Sequence, residues 1–195
     1  MRRQHATRLM LLGVFLLMGC AAAPYGKART ALVQGRYEEA VTGFAEVLAR
    51  HPDRLDALVG LGKARYKLGA FDEAITALSR AVAQAPKSEA AQFYLGLSYL
   101  QKGEDGPAEE HLKALLDLKP HARIATQVDR ALKLMRSEHP SSDMRAFIAA
   151  SLEDEAEWAR EARLAQYAYP PRPFYWYGYP FGPCFATRSG RVVCY

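Results

Sequence analysis

Three cysteines and five histidines are all that this 195-residue chain offers a transition metal, and none of them stand at ligand spacing. Zinc and related centres draw on pairs only a few residues apart, whereas Cys20, Cys184 and Cys194 and His5, His51, His111, His121 and His139 are scattered. A C-x-x-C pair, a glycine-rich phosphate loop and a nucleophile elbow are missing as well. These absences leave no catalytic residue, no metal ligand and no cofactor to nominate, and they point to a protein that binds rather than catalyses. Long apolar runs are scarce too. The one run, Leu9 to Ala23, holds 15 apolar or small residues, short of the roughly 20 that a membrane-spanning helix needs. Positive charge is also in short supply once its position is considered. The formal +5 falls to +2 when Arg2, Arg3 and Arg8 are set aside with the N-terminal segment, and residues 21 to 166 carry −1, because Arg172, Arg188 and Arg191 sit in an acid-free tail. A nucleic-acid footprint needs a basic patch, so no nucleic acid partner is expected.

What the chain does have is repetition. "GRYEEA" at 35 to 40 returns as "GAFDEA" at 69 to 74; Gly35, Gly69 and Gly103 are 34 residues apart, and so are Pro52, Pro86 and Pro120. Ala40, Ala74 and Ala108 align, as do Phe44, Leu78 and Leu112, then Val47, Ala81 and Leu115, then Leu48, Val82 and Leu116. Every aligned set is apolar, and the offsets place each set on one helical stripe. Upstream, Leu58, Leu61, Gly62 and Arg65 match Gln92, Leu95, Gly96 and Tyr99, a first helix whose glycine lets its partner approach closely. The unit is helix, turn, helix, with the glycines at the reversal and the prolines where the second helix ends.

Residues 58 to 86, "LVGLGKARYKLGAFDEAITALSRAVAQAP", resemble a tetratricopeptide repeat through Leu61, Gly62, Gly69, Phe71, Ala74, Ala81 and Pro86, and residues 92 to 120 resemble another. Residues 24 to 52 fit in their second helix, but Ala28 replaces the first-helix glycine and Pro24 interrupts the start, so this unit reads as truncated. In the third unit Asp105 stands where Tyr37 and Phe71 stood, and the loss of the aromatic should loosen that turn. The resemblance implies an all-α, short solenoid of three stacked hairpins over 24–120, because one hairpin cannot bury its apolar face alone. Residues 121–136 are expected to cap it, with Val128, Leu132 and Met135 inward and Arg123, Asp129, Arg130, Lys133 and Arg136 toward water.

The opening "MRRQHATRLMLLGVFLLMGC" has the basic start and short apolar core of a secretory signal over 1–19, and "LMGC" resembles the lipobox of bacterial lipoproteins. The resemblance implies lipidation of Cys20 in a mature N-terminus of residues 20–23. With Ala21 rather than aspartate next, it places the chain at the periplasmic face of the outer membrane; an inner-membrane anchor is the alternative.

After the break at His139-Pro140, an additional amphipathic helix is expected over 142–166, with Ser142 as N-cap and Met144, Phe147, Ile148, Leu152 and Ala156 on one face. The acids Glu153, Asp154, Glu155 and Glu157 read as a solvated face, since they lack the alternation of a calcium loop. His51 and His111 read as surface residues. The tail, 167–195, is different in kind: ten of its 29 residues are aromatic and five are proline. An extended tail folded back over the repeats is the first reading. Insertion at a lipid interface and glycan stacking by Tyr175, Trp176 and Tyr177, with peptidoglycan as the ligand, are the others. At its end, a three-residue loop Arg188-Ser189-Gly190 flanked by Thr187 and Arg191 predicts a β-hairpin pairing Ala186 with Val192, Phe185 with Val193 and Cys184 with Cys194. That register sets the two cysteines at a non-hydrogen-bonded pair, suited to a disulfide in an oxidising compartment.

In the family the resemblance names, ligands lie against the first helices. Carried over residue by residue, that surface is Val59, Lys63, Tyr66 and Lys67 in the second unit and Phe93, Leu97 and Leu100 in the third. The two lysines favour an acidic partner. The apolar stripe of the third unit is expected to be covered either by a partner protein of the cell envelope or by the chain's own helix 143 to 166.

Overall fold

The structure, a computed structural model, describes residues 24–137 and 140–168 and, by backbone alone, four short segments of the tail; side chains are described through residue 165. Among the described residues eight helices follow one another: α1 (Pro24–Val33), α2 (Tyr37–Arg50), α3 (Leu55–Lys67), α4 (Phe71–Gln84), α5 (Glu89–Lys102), α6 (Asp105–Asp117), α7 (Ala122–Ser137) and α8 (Ser142–Ala168). The signal segment and Cys20 lie outside the described residues.

The three repeated turns share one hydrogen-bond pattern. Gly35, Gly69 and Gly103 have φ of 77, 74 and 80°, a left-handed conformation that costs glycine little. After each, the next residue's N–H reaches back five residues to a carbonyl, Arg36 to Ala31, Ala70 to Arg65 and Glu104 to Tyr99, all at 2.9 Å. This pattern satisfies carbonyls that a bare helix end leaves open. The acids of the repeated phrase, Glu38 and Glu39 and then Asp72 and Glu73, fall in the first turn of the second helix, where the helix dipole favours negative charge. At the unit ends α2 and α4 stop two residues before Pro52 and Pro86, whereas α6 stops at Asp117 and the chain leaves through Lys119 at φ 55°.

The chain divides into two compact units between Ser98 and Tyr99, inside α5. In the first unit α1 packs on α2, α2 on α3 and α3 on α4. Its core joins Ala28, Ala31, Ala40, Phe44, Val47, Ala57 and Ala64, with Tyr25, Leu32 and Leu61 against them. Small residues set the helix spacing. A Cβ on Gly62 would lie 2.4 Å from Leu78 Cγ, and one on Gly43 2.7 Å from the Cβ of Ala28. The close approach that Gly62 supplies from the first helix of its unit is thus supplied in the preceding unit by Gly43 on the second helix. Two buried polar side chains are both bonded to backbone: Ser98 Oγ donates to the Tyr94 carbonyl at 2.7 Å, and Gln92 Nε2 to that of Pro86 at 2.9 Å.

In the second unit α6 packs on α7 and α7 on α8. Ala108, Leu112 and Leu115 of α6 are buried, as are Val128, Leu132 and Met135 of α7, the stripe expected of the capping helix. Four short strands follow: β1 (Tyr175–Trp176), β2 (Tyr179–Pro180), β3 (Cys184–Ala186) and β4 (Val192–Cys194). They form two antiparallel pairs, the second with Cys184 opposite Cys194, Phe185 opposite Val193 and Ala186 opposite Val192. β3 lies in contact with α8.

Candidate protein-binding surface

The surface nominated from the first helices divides in two. Phe93 and Tyr66 are each 5% exposed, and Leu97 and Leu100 are fully buried. Phe93, Leu97 and Leu100 are therefore not an open stripe awaiting a partner: the chain itself covers them, as a helix apolar on two faces requires. Tyr66 is likewise closed off within an aromatic cluster. Its ring meets Phe71 at 5.7 Å and Tyr94 at 5.6 Å between centroids, and Phe93 stands edge-on to Tyr94 at 5.1 Å. The pair Tyr66 and Phe71 bridges the second turn, so the aromatic of the repeated phrase is a turn staple.

Val59, Lys63 and Lys67 remain half-buried on α3. Lys63 places its Nζ 5.0 Å above the ring of Tyr94, which lays its stem along apolar surface and gives the cation a fixed position. The 34-residue offset carries Lys63 back to Arg29 and Lys67 back to Val33, both on α1 and both exposed, Val33 at 61%. Sequence reasoning missed this pair because it set the first unit aside as truncated; the offset alone would have found it. Beside them, Arg54 donates from Nε to Asp56 Oδ1 at 2.7 Å and from Nη2 to Oδ2 at 3.1 Å, and its guanidinium lies 4.4 Å over the ring of Tyr25. The hydrogen bonds from Arg54 hold the Asp56 carboxyl below the usual carboxylate range, and burial, then the Asp56 charge, push the Tyr25 hydroxyl up. This trio ties α1 to the start of α3; Arg29 lies on the first of these helices and Lys63 and Lys67 on the second.

His111 is not the surface residue that its sequence position suggested. Its ring lies flat against Tyr99, 5.6 Å between centroids and 5° between planes, and burial lowers its pKa. His51 is exposed, as expected. Among the described residues no group of three or more His, Cys, Asp or Glu could hold a metal ion, and no helix is long and apolar enough to cross a membrane. Tyr177 lies outside the described residues, as do the side chains of Tyr175, Trp176, Cys184 and Cys194.

A tetratricopeptide repeat model matches residues 25–89 and again 61–123. Similar solved structures include the type III secretion translocator chaperone SycD of Yersinia enterocolitica, 26% identical with a TM-score of 0.55, over 58% of this chain and 81% of that one. An O-GlcNAc transferase of Thermobaculum terrenum is 25% identical with a TM-score of 0.54; the match takes in 68% of this chain but only 25% of the transferase. A MamA double mutant, 24% identical with a TM-score of 0.53 over 68% of this chain and 75% of its own, shares the fold. With its two overlapping matches running from residue 25 to residue 123, half of the sequence, and with the repeated hairpins described above, the chain belongs to the tetratricopeptide repeat family.

Proposed function

We propose that the chain is a non-enzymatic scaffold or assembly factor of the bacterial cell envelope, lipid-anchored through Cys20 at the periplasmic face of the outer membrane, which captures an acidic segment of a partner protein across α1 and α3. The observation that carries this reading is the correspondence, one repeat apart, of Arg29 on α1 with Lys63 on α3 and of Val33 with Lys67, on the first helices against which tetratricopeptide repeats receive ligands. Basic heads with apolar stems suit an acidic helix or extended peptide better than a neutral one. That one similar structure is a secretion chaperone supports a protein ligand. The signal-like start and "LMGC" support the anchor, with the inner membrane as the alternative site.

Crosslinking in intact cells tests both parts separately. The Lys63→Glu, Lys67→Glu double variant should lose a protein that the wild type captures, while remaining with the outer membrane; capture unchanged by the double reversal sinks the binding surface. Cys20→Ser should accumulate as an unlipidated precursor and leave the outer-membrane fraction. Normal processing and fractionation of that variant would remove the anchor without touching the groove. The aromatic run Tyr175-Trp176-Tyr177 supports a second reading, a wall-associated module that stacks on glycan. If retention on purified peptidoglycan survives changing all three to alanine, that reading goes.

A further inference from the structure

At the first two turns the residue that opens the second helix is aromatic, Tyr37 and Phe71; at the third it is Asp105. The vacancy is filled from α8. Arg145 donates from Nε to Asp105 Oδ1 at 2.9 Å and from Nη2 to Oδ2 at 2.8 Å, across 40 residues of chain. The guanidinium fork is used in full, and the two side chains are only 19 and 30% exposed. A Cβ on Gly103 would lie 3.5 Å from the same guanidinium, so the turn itself forms a wall of the seat.

A second clamp holds the helix further on. Arg123 of α7 donates from Nε and Nη2 to the two oxygens of Glu155, each at 2.9 Å, and its guanidinium lies 4.0 Å over the ring of Trp158. The apolar contact between the clamps is thin. Among the described side chains of α8, the buried ones are Ala149, Ala159 and Ala162 with Ile148 and Leu152 the large ones, while Met144, Phe147 and Leu164 point to water at 40, 68 and 61% exposure. An element held by a few charge-assisted bonds over little apolar area belongs to the low-stability end of a fold, and its attachment is open to screening by salt.

We infer that α8 is a strap latched onto the third turn by the Asp105–Arg145 pair, which opens as one element while α6 and α7 keep their fold. The aspartate at the aromatic's position is the half of the latch that the repeat supplies. Release uncovers the face of α7 on which α8 packs. The inference is independent of the Lys63 surface and of the membrane anchor.

Hydrogen exchange on the full chain, resolved by helix, tests it. Arg145→Gln should speed exchange in α8 about tenfold, the scale of one charge-assisted bond pair, with the amides of α1 to α4, α6 and α7 unchanged. Asp105→Phe restores the aromatic of the earlier turns and should loosen α8 as much. Reversing the pair, Asp105→Arg with Arg145→Asp, should recover most of the protection. Arg160→Gln is the control, because the partner of Arg160 is Glu157 on α8 itself, and it should change nothing outside its own turn. For a variant that folds poorly the wild type suffices: raising salt from about 0.01 M to about 1 M should speed exchange in α8 selectively. Unchanged α8 exchange in Arg145→Gln and across the salt range, or equal acceleration of α6, α7 and α8, overturns the strap.

Discussion

At Gly62 a methyl group has nowhere to go. Its Cβ would meet Leu78 Cγ at 2.4 Å, and Leu78 is fully buried in the hairpin. Gly62→Ala should therefore cost about 1 to 3 kcal/mol, the range for overpacking, read as a lower urea midpoint with unchanged slope. Gly106 sits in the first turn of α6 with nothing within 4 Å of a Cβ, and Gly106→Ala should gain up to about 1 kcal/mol in the same assay. His111 offers a test by pH. Burial against Tyr99 lowers its pKa from 6.5, so the unfolded chain binds the proton more tightly than the folded one. Its neutral form therefore contributes stability that is complete above pH 6.5 and lost as pH falls through the lower folded pKa. Comparing wild type with His111→Gln should show the wild type losing ground below pH 6.5 and holding a constant difference above it; parallel curves through that window would falsify the assignment. The pattern around His111 is that of an exposed helix position, and the stacking partner Tyr99 lies in another helix, so local spacing gave no warning of it. Burial of Phe93, Leu97 and Leu100 was legible only as a choice between two covers, because periodicity shows that a face is apolar and not what lies on it.

Among the elements, the turns were the most readable part of the chain. Glycine at 35, 69 and 103 is a local demand for left-handed backbone, and all three sites adopt it. The end of α6 was less readable. Proline at 120 marks the limit of a helix, but the left-handed residue is Lys119 and the helix stops at Asp117, a choice that proline spacing does not encode. The swap of small residues, Gly43 against Ala28 in one hairpin and Gly62 against Leu78 in the next, is not legible in the repeat pattern, because the small residue moves from the first helix to the second and leaves no match at the 34-residue offset. For the terminal pair of strands the register is the one counted from the three-residue loop, with Cys184 opposite Cys194. On the proposed export to an oxidising compartment we expect a disulfide there, constraining the unfolded end by roughly 2 to 3 kcal/mol for so short a loop. A non-reduced digest should yield one cross-linked peptide containing both cysteines. Quantitative alkylation of both without reductant rejects the bond.

On the scale of the whole molecule, charge is distributed by segment rather than by excess. The sequence carries +5 in total yet −1 between residues 21 and 166, so a basic surface on α1 and α3 must be balanced by acids elsewhere, and α8 holds several of them. Partner capture through Arg29, Lys63 and Lys67 should accordingly weaken as salt rises toward about 1 M, and Arg29→Glu should weaken it as Lys63→Glu does. A binding isotherm with an acidic peptide from the captured partner measures this; affinity indifferent to both salt and Arg29→Glu argues that the contact lies on another face.

The three like turns and the unlike residue at 105 also bear on how such a chain can lengthen. A 34-residue unit that meets only its neighbours is a part that an in-frame duplication can copy. A second copy of residues 53 to 86 would bring its own aromatic, Phe71, and its own closing proline, and should add one helix pair to an intact protein. A second copy of residues 87 to 120 would bring a second Asp105 with a single Arg145 to serve both, leaving one carboxylate without its partner at the turn. Growth by duplication is thus open on the N-terminal side of Gly103 and penalised beyond it, and the pairing of one aspartate with one arginine sets the end at which the array stops counting.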